Sequence, residues 1–150
     1  LTFEQLMDKV KVVLSIIRTV LVSIAAISLV VGGIGIMNTM YTSVLERTRE
    51  IGVMKAIGAK NSDVLLIFLF ESGIYGFVGG LIGVIAGVSA SAAIQTIASL
   101  FLGSSLFKVY FSPWLIVGAL GFSFFIGAIS GVFPAMQASK LKPVDALRYE

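Results

Sequence analysis

Apolar and polar positions fall along this chain in blocks. An amphipathic N-terminal stretch leads into an uncharged run over residues 19–45. A dense charged block follows, beginning at Glu46 and ending at Lys60. A single acid, Glu71, then interrupts a second apolar segment, which continues without charge over 72–107, and a third apolar run covers 113–138. Runs longer than about 20 apolar residues cross a bilayer core as helices, because only a helix satisfies its own backbone there. A membrane barrel would show alternating segments of roughly ten residues, and the sequence has none. The pattern predicts an all-α integral membrane protein with three transmembrane helices, an N-terminal stalk helix, a cytoplasmic helix between the first two spans and a short C-terminal cytoplasmic helix. The expected segments are the stalk at 1–18, a span with a cytoplasmic extension at 19–45 and the charged segment at 46–61. A span at 62–100, an extracytoplasmic loop at 101–112, a span at 113–138 and the terminal helix at 139–150 complete the chain.

Local signals sharpen these segments. Thr2 and Gln5 have the spacing of a capping box, with Leu1 and Leu6 as its staple. Phe3, Leu6, Met7, Val10, Leu14 and Ile17 then recur at helical spacing, opposite Glu4, Asp8, Lys9, Lys11 and Arg18. No Gly or Pro precedes Gly32, which favours one long helix entering the membrane near Arg18 over a helix lying flat on lipid. Gly33-Ile34-Gly35 lacks the strand-then-helix setting of a dinucleotide loop and reads as a close contact or a bend. The second span is too long for one straight crossing, so it overhangs the bilayer or breaks near 87–91. Gly76 and Gly80, and Gly79, Gly83, Gly87 and Ser91, repeat at four-residue spacing, which lets helix backbones approach closely. Packing within the chain and a dimer seam are both open. Ser112-Pro113 starts the third span as a cap and a Pro at the first helical position. Gly127, Gly131 and Ala135 repeat the small-residue spacing, and Pro134 should kink the end and free a carbonyl near Ser130.

Composition supports the membrane reading. Of 150 residues, 57% are hydrophobic and 13% charged, and the mean hydropathy is +1.02, leaving too few polar residues to clothe a soluble domain. The chain has no cysteine and no histidine, which removes thiol chemistry and the commonest zinc ligands. Arg47, Arg49, Lys55 and Lys60, together with Lys140, Lys142 and Arg148, set the charged block and the tail on one side. The positive-inside rule makes that side the cytoplasm of a multi-pass cell-membrane protein. Lys9, Lys11 and Arg18 then lie outside, which is tolerable if the stalk follows a large exported domain. The chain begins at Leu1 without Met and reads as a piece of something longer.

The charged block could pair Glu46 with Arg49 and Arg47 with Glu50 at i,i+3, as a shaft continuing the first span. Val53, Met54 and Ile57 then share an apolar arc bracketed by Gly52 and Gly58. An apolar knob on a charged shaft suits a groove on a cytoplasmic protein; a helix resting on anionic headgroups fits the periodicity equally well. The Gly52–Gly58 spacing is one residue too long for a phosphate loop and lacks its Gly-Lys-[Ser/Thr] ending. No catalytic set and no metal cluster stands out. Glu71 reads either as a proton or conformational relay or as a carboxylate near the inner interface, bonded to a neighbouring helix or snorkelling.

Several strings taken together resemble a known family: Gly33-Ile34-Gly35-Ile36-Met37-Asn38, Glu46-Arg47-Thr48-Arg49-Glu50-Ile51-Gly52, Ala56-Ile57-Gly58-Ala59, Glu71-Ser72, Gly131-Val132-Phe133-Pro134-Ala135 and the ending from Pro143 to Glu150. From about Val12 onward the chain resembles the FtsX-like permeases of ABC transporters, with the macrolide-exporter (MacB-like) subgroup nearest. The resemblance implies a four-span permease with an external domain after its first span, of which this chain holds the last three spans. It also implies a permease homodimer or heterodimer, a cytoplasmic ABC ATPase as partner, and room for a periplasmic or extracellular partner. Lipid is the surrounding medium, and no nucleic acid is involved. ATP and Mg belong to the ATPase, and this chain holds no cofactor. The block becomes a coupling helix, with Glu46, Arg47, Arg49, Glu50, Val53, Met54 and Ile57 in contact with the ATPase and Pro143, Leu147 and Arg148 as a second contact. The rival reading is a self-standing three-span scaffold that oligomerises through its glycines. A channel is weaker, since no span carries a polar stripe.

Overall fold

The computed structural model describes residues 2–102 and 112–141. It contains α1 (Phe3–Glu46), α2 (Thr48–Ala56), α3 (Asn61–Leu102) and α4 (Pro113–Ser139). The helices α1, α3 and α4 are long and apolar enough to cross a membrane. The chain is a multi-pass membrane protein, and no strand occurs among the described residues. The expected terminal helix, with Pro143, Leu147 and Arg148, lies outside the described residues, as do Leu1, Lys108 and most of the 101–112 loop.

The chain divides into two units, Leu1–Gly35 and Ile36–Glu150. The described part of the first is helix from Phe3 onward, with nearly every residue exposed. The Thr2 amide donates to Gln5 Oε1 at 3.3 Å, which is the return half of the expected capping box.

In the second unit α3 and α4 pack by close backbone approach. A Cβ on Gly76 would lie 2.8 Å from the Gly127 Cα, and one on Gly127 would lie 2.8 Å from the Gly76 Cα. Gly131 faces the Ser72 side chain, and Gly80 faces Ser123. The Phe124 ring covers Gly73 and sits 6.2 Å from the Phe70 ring. Apolar side chains gain nothing by leaving lipid for one another, so close packing of small residues carries such an association. Gly79, Gly83 and Gly87 take no part in this seam, because a Cβ at any of them meets nothing within 4 Å. The small residues therefore split into Gly76, Gly80, Gly127 and Gly131 inside the chain and Gly79, Gly83 and Gly87 on an open face.

The break considered near 87–91 does not occur, since α3 is one helix of 42 residues. At 1.5 Å per residue it measures roughly 63 Å, about twice a hydrocarbon core. An intact helix keeps every backbone bond within the segment, which offsets the weak helix propensity of its glycines. Likewise α4 continues through Pro134 to Ser139.

The side-chain core sits where α2 meets the adjoining ends of the long helices. Met40 and Val44 of α1, Ile51 of α2, Val64 and Phe68 of α3, and Ala135 and Ala138 of α4 are buried together. Pro134 and Ser72 are also fully buried.

The seam predicts an asymmetry. Gly127→Ala should destabilise the helix pair by about 1–3 kcal/mol, the range for overpacking, because the new methyl meets backbone. Gly79→Ala should change stability little. Reversible unfolding in mixed micelles measures both.

Candidate functional site

The charged block folds around one turn. α1 ends at Glu46, and Arg47 takes φ −99°, ψ 14° before α2 begins. The Thr48 hydroxyl donates back to the carbonyls of Val44 at 3.0 Å and Leu45 at 2.8 Å. These are last-turn acceptors that a helix end leaves unmet. The shaft expected to run on through Glu50 is thus interrupted at Arg47, and Gly52 is buried within α2. Gly52, read as one bracket of the apolar arc, lies inside α2, and the interruption falls at Arg47.

Gly58 ends α2 as expected. It takes φ +106°, a left-handed conformation open to glycine at little cost. The Gly58 amide donates to the Lys55 carbonyl and the Ala59 amide to the Met54 carbonyl, at 3.1 and 3.0 Å. That bonding pair is a Schellman ending, and Met54 and Ala59 both pack against the core. α3 then starts with the Asp63 carboxylate accepting the Lys60 amide at 3.0 Å, so Lys60 holds the cap position.

Arg47 ties this turn to α3. Its Nε donates to Glu50 at 3.0 Å, its Nη1 reaches Glu71 at 3.2 Å, and its guanidinium lies 5.9 Å from the centre of the Phe68 ring. The Glu50 hydrogen bond pushes the Arg47 pKa above its ordinary value against the opposing effect of burial, and the Glu71 charge adds to the rise. Glu71 therefore has a partner from another element, which is the neighbouring-helix alternative of the sequence reading. Glu46 forms no ion pair with Arg49 among the described residues.

At the other end of α2, Lys55 donates to the Ser139 carbonyl, to the Leu141 carbonyl at 2.8 Å and to Asn61 Oδ1 at 2.8 Å. Periodicity holds no hint of the two carbonyl contacts, because they join residues 84 and 86 positions apart. A lysine that reads as one more basic residue of the block is the cation at the C-terminal end of α4.

The remaining face of α2 is free. Arg49, Glu50, Val53, Ala56 and Ile57 are exposed, Ile57 at 82%, and Arg49, Glu50 and Val53 line a shallow hollow. Of the seven residues expected to make contact, Glu46, Arg49, Glu50, Val53 and Ile57 face outward. Arg47 and Met54 turn toward the protein. No group of three His, Cys, Asp or Glu residues converges among the described residues.

Residues 22–143 match the model of the family described as "FtsX-like permease C-terminal". An uncharacterized ABC transporter permease of Methanocaldococcus jannaschii is 46% identical over the whole chain, which spans 37% of that protein. The macrolide export ATP-binding/permease protein MacB of Bdellovibrio bacteriovorus is 52% identical over 87% of the chain and 19% of its own length. The ABC transporter permease YknZ of Bacillus subtilis is 41% identical over the whole chain and 36% of its own length. The chain thus spans well under half of each of these relatives.

The Arg47–Glu71 contact predicts a measurable coupling. In a double-mutant cycle with Arg47→Ala and Glu71→Ala, the pair should show about 1 kcal/mol of interaction energy. Additive effects of the two single changes would mean that the contact contributes nothing.

Proposed function

Since the chain belongs to the FtsX-like permease C-terminal family, we propose that it is the transmembrane permease part of an ABC-type transporter and that α2 is the helix on which the cytoplasmic ATPase docks. The observation that carries this reading is the placement of α2. It is a short helix outside the long apolar helices, anchored through Ile51, Met54, Arg47 and Lys55, with Val53 and Ile57 left exposed between charged neighbours. An exposed apolar face with flanking charges is what a groove on a partner protein recognises. Relatives whose names join permease and ATP-binding functions are consistent with such a partner.

In this reading Val53 and Ile57 supply the buried area, and Glu46, Arg49 and Glu50 set register. The side carrying α2 is cytoplasmic, in keeping with its basic residues. ATP and Mg act in the ATPase, and the permease chain contributes no catalytic group. Closure of the paired ATPases moves α2, and with it α3 and α4, for export of a substrate or for passing force to an external domain. The transporter works as a permease homodimer or heterodimer, and the tail from Pro143 through Leu147 and Arg148 adds a second contact. Gly79, Gly83 and Gly87 stand open for the permease partner. The rival of a lipid-resting helix is weakened by the split of the arc, since Met54 is turned inward and leaves only Val53 and Ile57 for a headgroup layer.

Val53→Asp with Ile57→Asp should leave the full-length permease inserted and dimeric but abolish its stimulation of the partner ATPase in reconstituted membranes. Met54→Asp should instead lower stability, because it places a charge against the core. Undiminished stimulation by the double variant would defeat the docking assignment.

A further inference from the structure

We propose that Lys55 is a positioning residue that clamps α2 to the end of α4, so that displacement of α2 is delivered to α4 as well as to α3. The proposal rests on the docking reading for the source of the displacement and on geometry for the clamp. An ammonium group has three hydrogens and no acceptor. Here all three find oxygens: the carbonyl of Ser139, the last residue of α4, the carbonyl of Leu141 just beyond it, and Asn61 Oδ1 at the start of α3. The last carbonyls of a helix lack partners within it and carry the negative end of its dipole. A cation there binds a charge-bearing end of α4, not a passing side chain.

The two ties on α2 differ in reach. Near its start, Arg47 holds Glu71 on α3. Near its end, Lys55 holds Asn61 at the start of α3 and, in addition, the closing segment of α4. The exposed face of Arg49, Val53 and Ile57 lies between them. A load on that face therefore bears on two supports, and the α4 support depends on one charged side chain. Ile51 lies in the buried cluster that also holds Ala135 and Ala138 of α4, and Met54 packs against it; such apolar packing is non-directional, whereas the ammonium–carbonyl contacts fix position. The flexible stem of Lys suits the three oxygens, which come from separate backbone and side-chain positions.

The experiment uses the full-length permease in nanodiscs. Spin labels at Ala56→Cys and Gln137→Cys, both exposed sites in a chain with no cysteine of its own, report the α2–α4 distance without any ATPase. A single narrow distribution is expected for the parent and for Lys55→Arg, and a broadened one for Lys55→Met. An unchanged narrow distribution in Lys55→Met overturns the clamp. Lys55→Gln replaces Lys55→Met if the latter does not accumulate in the membrane, with the same two outcomes. The partner ATPase is then added, and an environment-sensitive fluorophore at Gln137→Cys follows the response of α4 to ATP and Mg. Lys55→Met should retain the ATPase and lose the α4 response, and Lys55→Arg should restore it. A full response in Lys55→Met with ATPase bound overturns the positioning role. Failure of the parent itself to bind the ATPase counts against the docking reading alone, since the distance measurement decides the clamp without it.

Discussion

In a bilayer, apolar helices gain nothing by hiding from lipid, so whatever holds them together must be close backbone approach or polar contact. This constraint organises residues 36–102 and 112–141. The α3–α4 pair closes over Gly76 and Gly127, with Ser72 against Gly131. Polar ties fix α2 to the adjoining ends of the long helices, through Arg47 to Glu71 and Lys55 to the carbonyls of Ser139 and Leu141. The apolar side chains that are fully buried, among them Met40, Ile51, Val64 and Phe68, collect at the same place. That end can hold a water-excluded core, worth about 1.5–3 kcal/mol for each large side chain removed from water.

A nine-residue helix has little stability of its own. α2 exists because its ends are fixed. Thr48 and Arg47 define its start, Gly58 its end, and Ile51 and Met54 seat it on the core. The outward side is then left to Arg49, Val53 and Ile57. A face that rests on so many inward contacts is rigid enough to carry load, and this gives its mechanical reading physical content.

Much of this was legible in the sequence. Three apolar runs gave three long helices, Gly58 marked one end of the apolar arc, and Ser112-Pro113 gave the start of α4. The family strings led to the family. What periodicity could not supply was anything decided between elements. Gly52 reads as one bracket of the apolar arc, yet the helix is interrupted at Arg47, with Thr48 and Glu71 bonded around it. The glycines looked alike at four-residue spacing, and only the position of α4 sorted Gly76 and Gly80 from Gly79 and Gly83. Val53 and Met54 are adjacent and equally apolar, but the core takes Met54. Lys55 gave no signal of its tie to α4 because those two partners are backbone carbonyls, which no side-chain pattern reveals.

The central claim is that the core at the α2 end stays closed while the outward face of α2 engages a protein. Hydroxyl-radical footprinting of the full-length permease, with and without its ATPase, reads both parts in one measurement. The account predicts that Val53 and Ile57 lose reactivity when the ATPase binds, while Met40 and Met54 keep the reactivity they have in the permease alone. Unchanged reactivity at Val53 and Ile57 in the bound complex, or a rise at Met40 that signals an opened core, would contradict it.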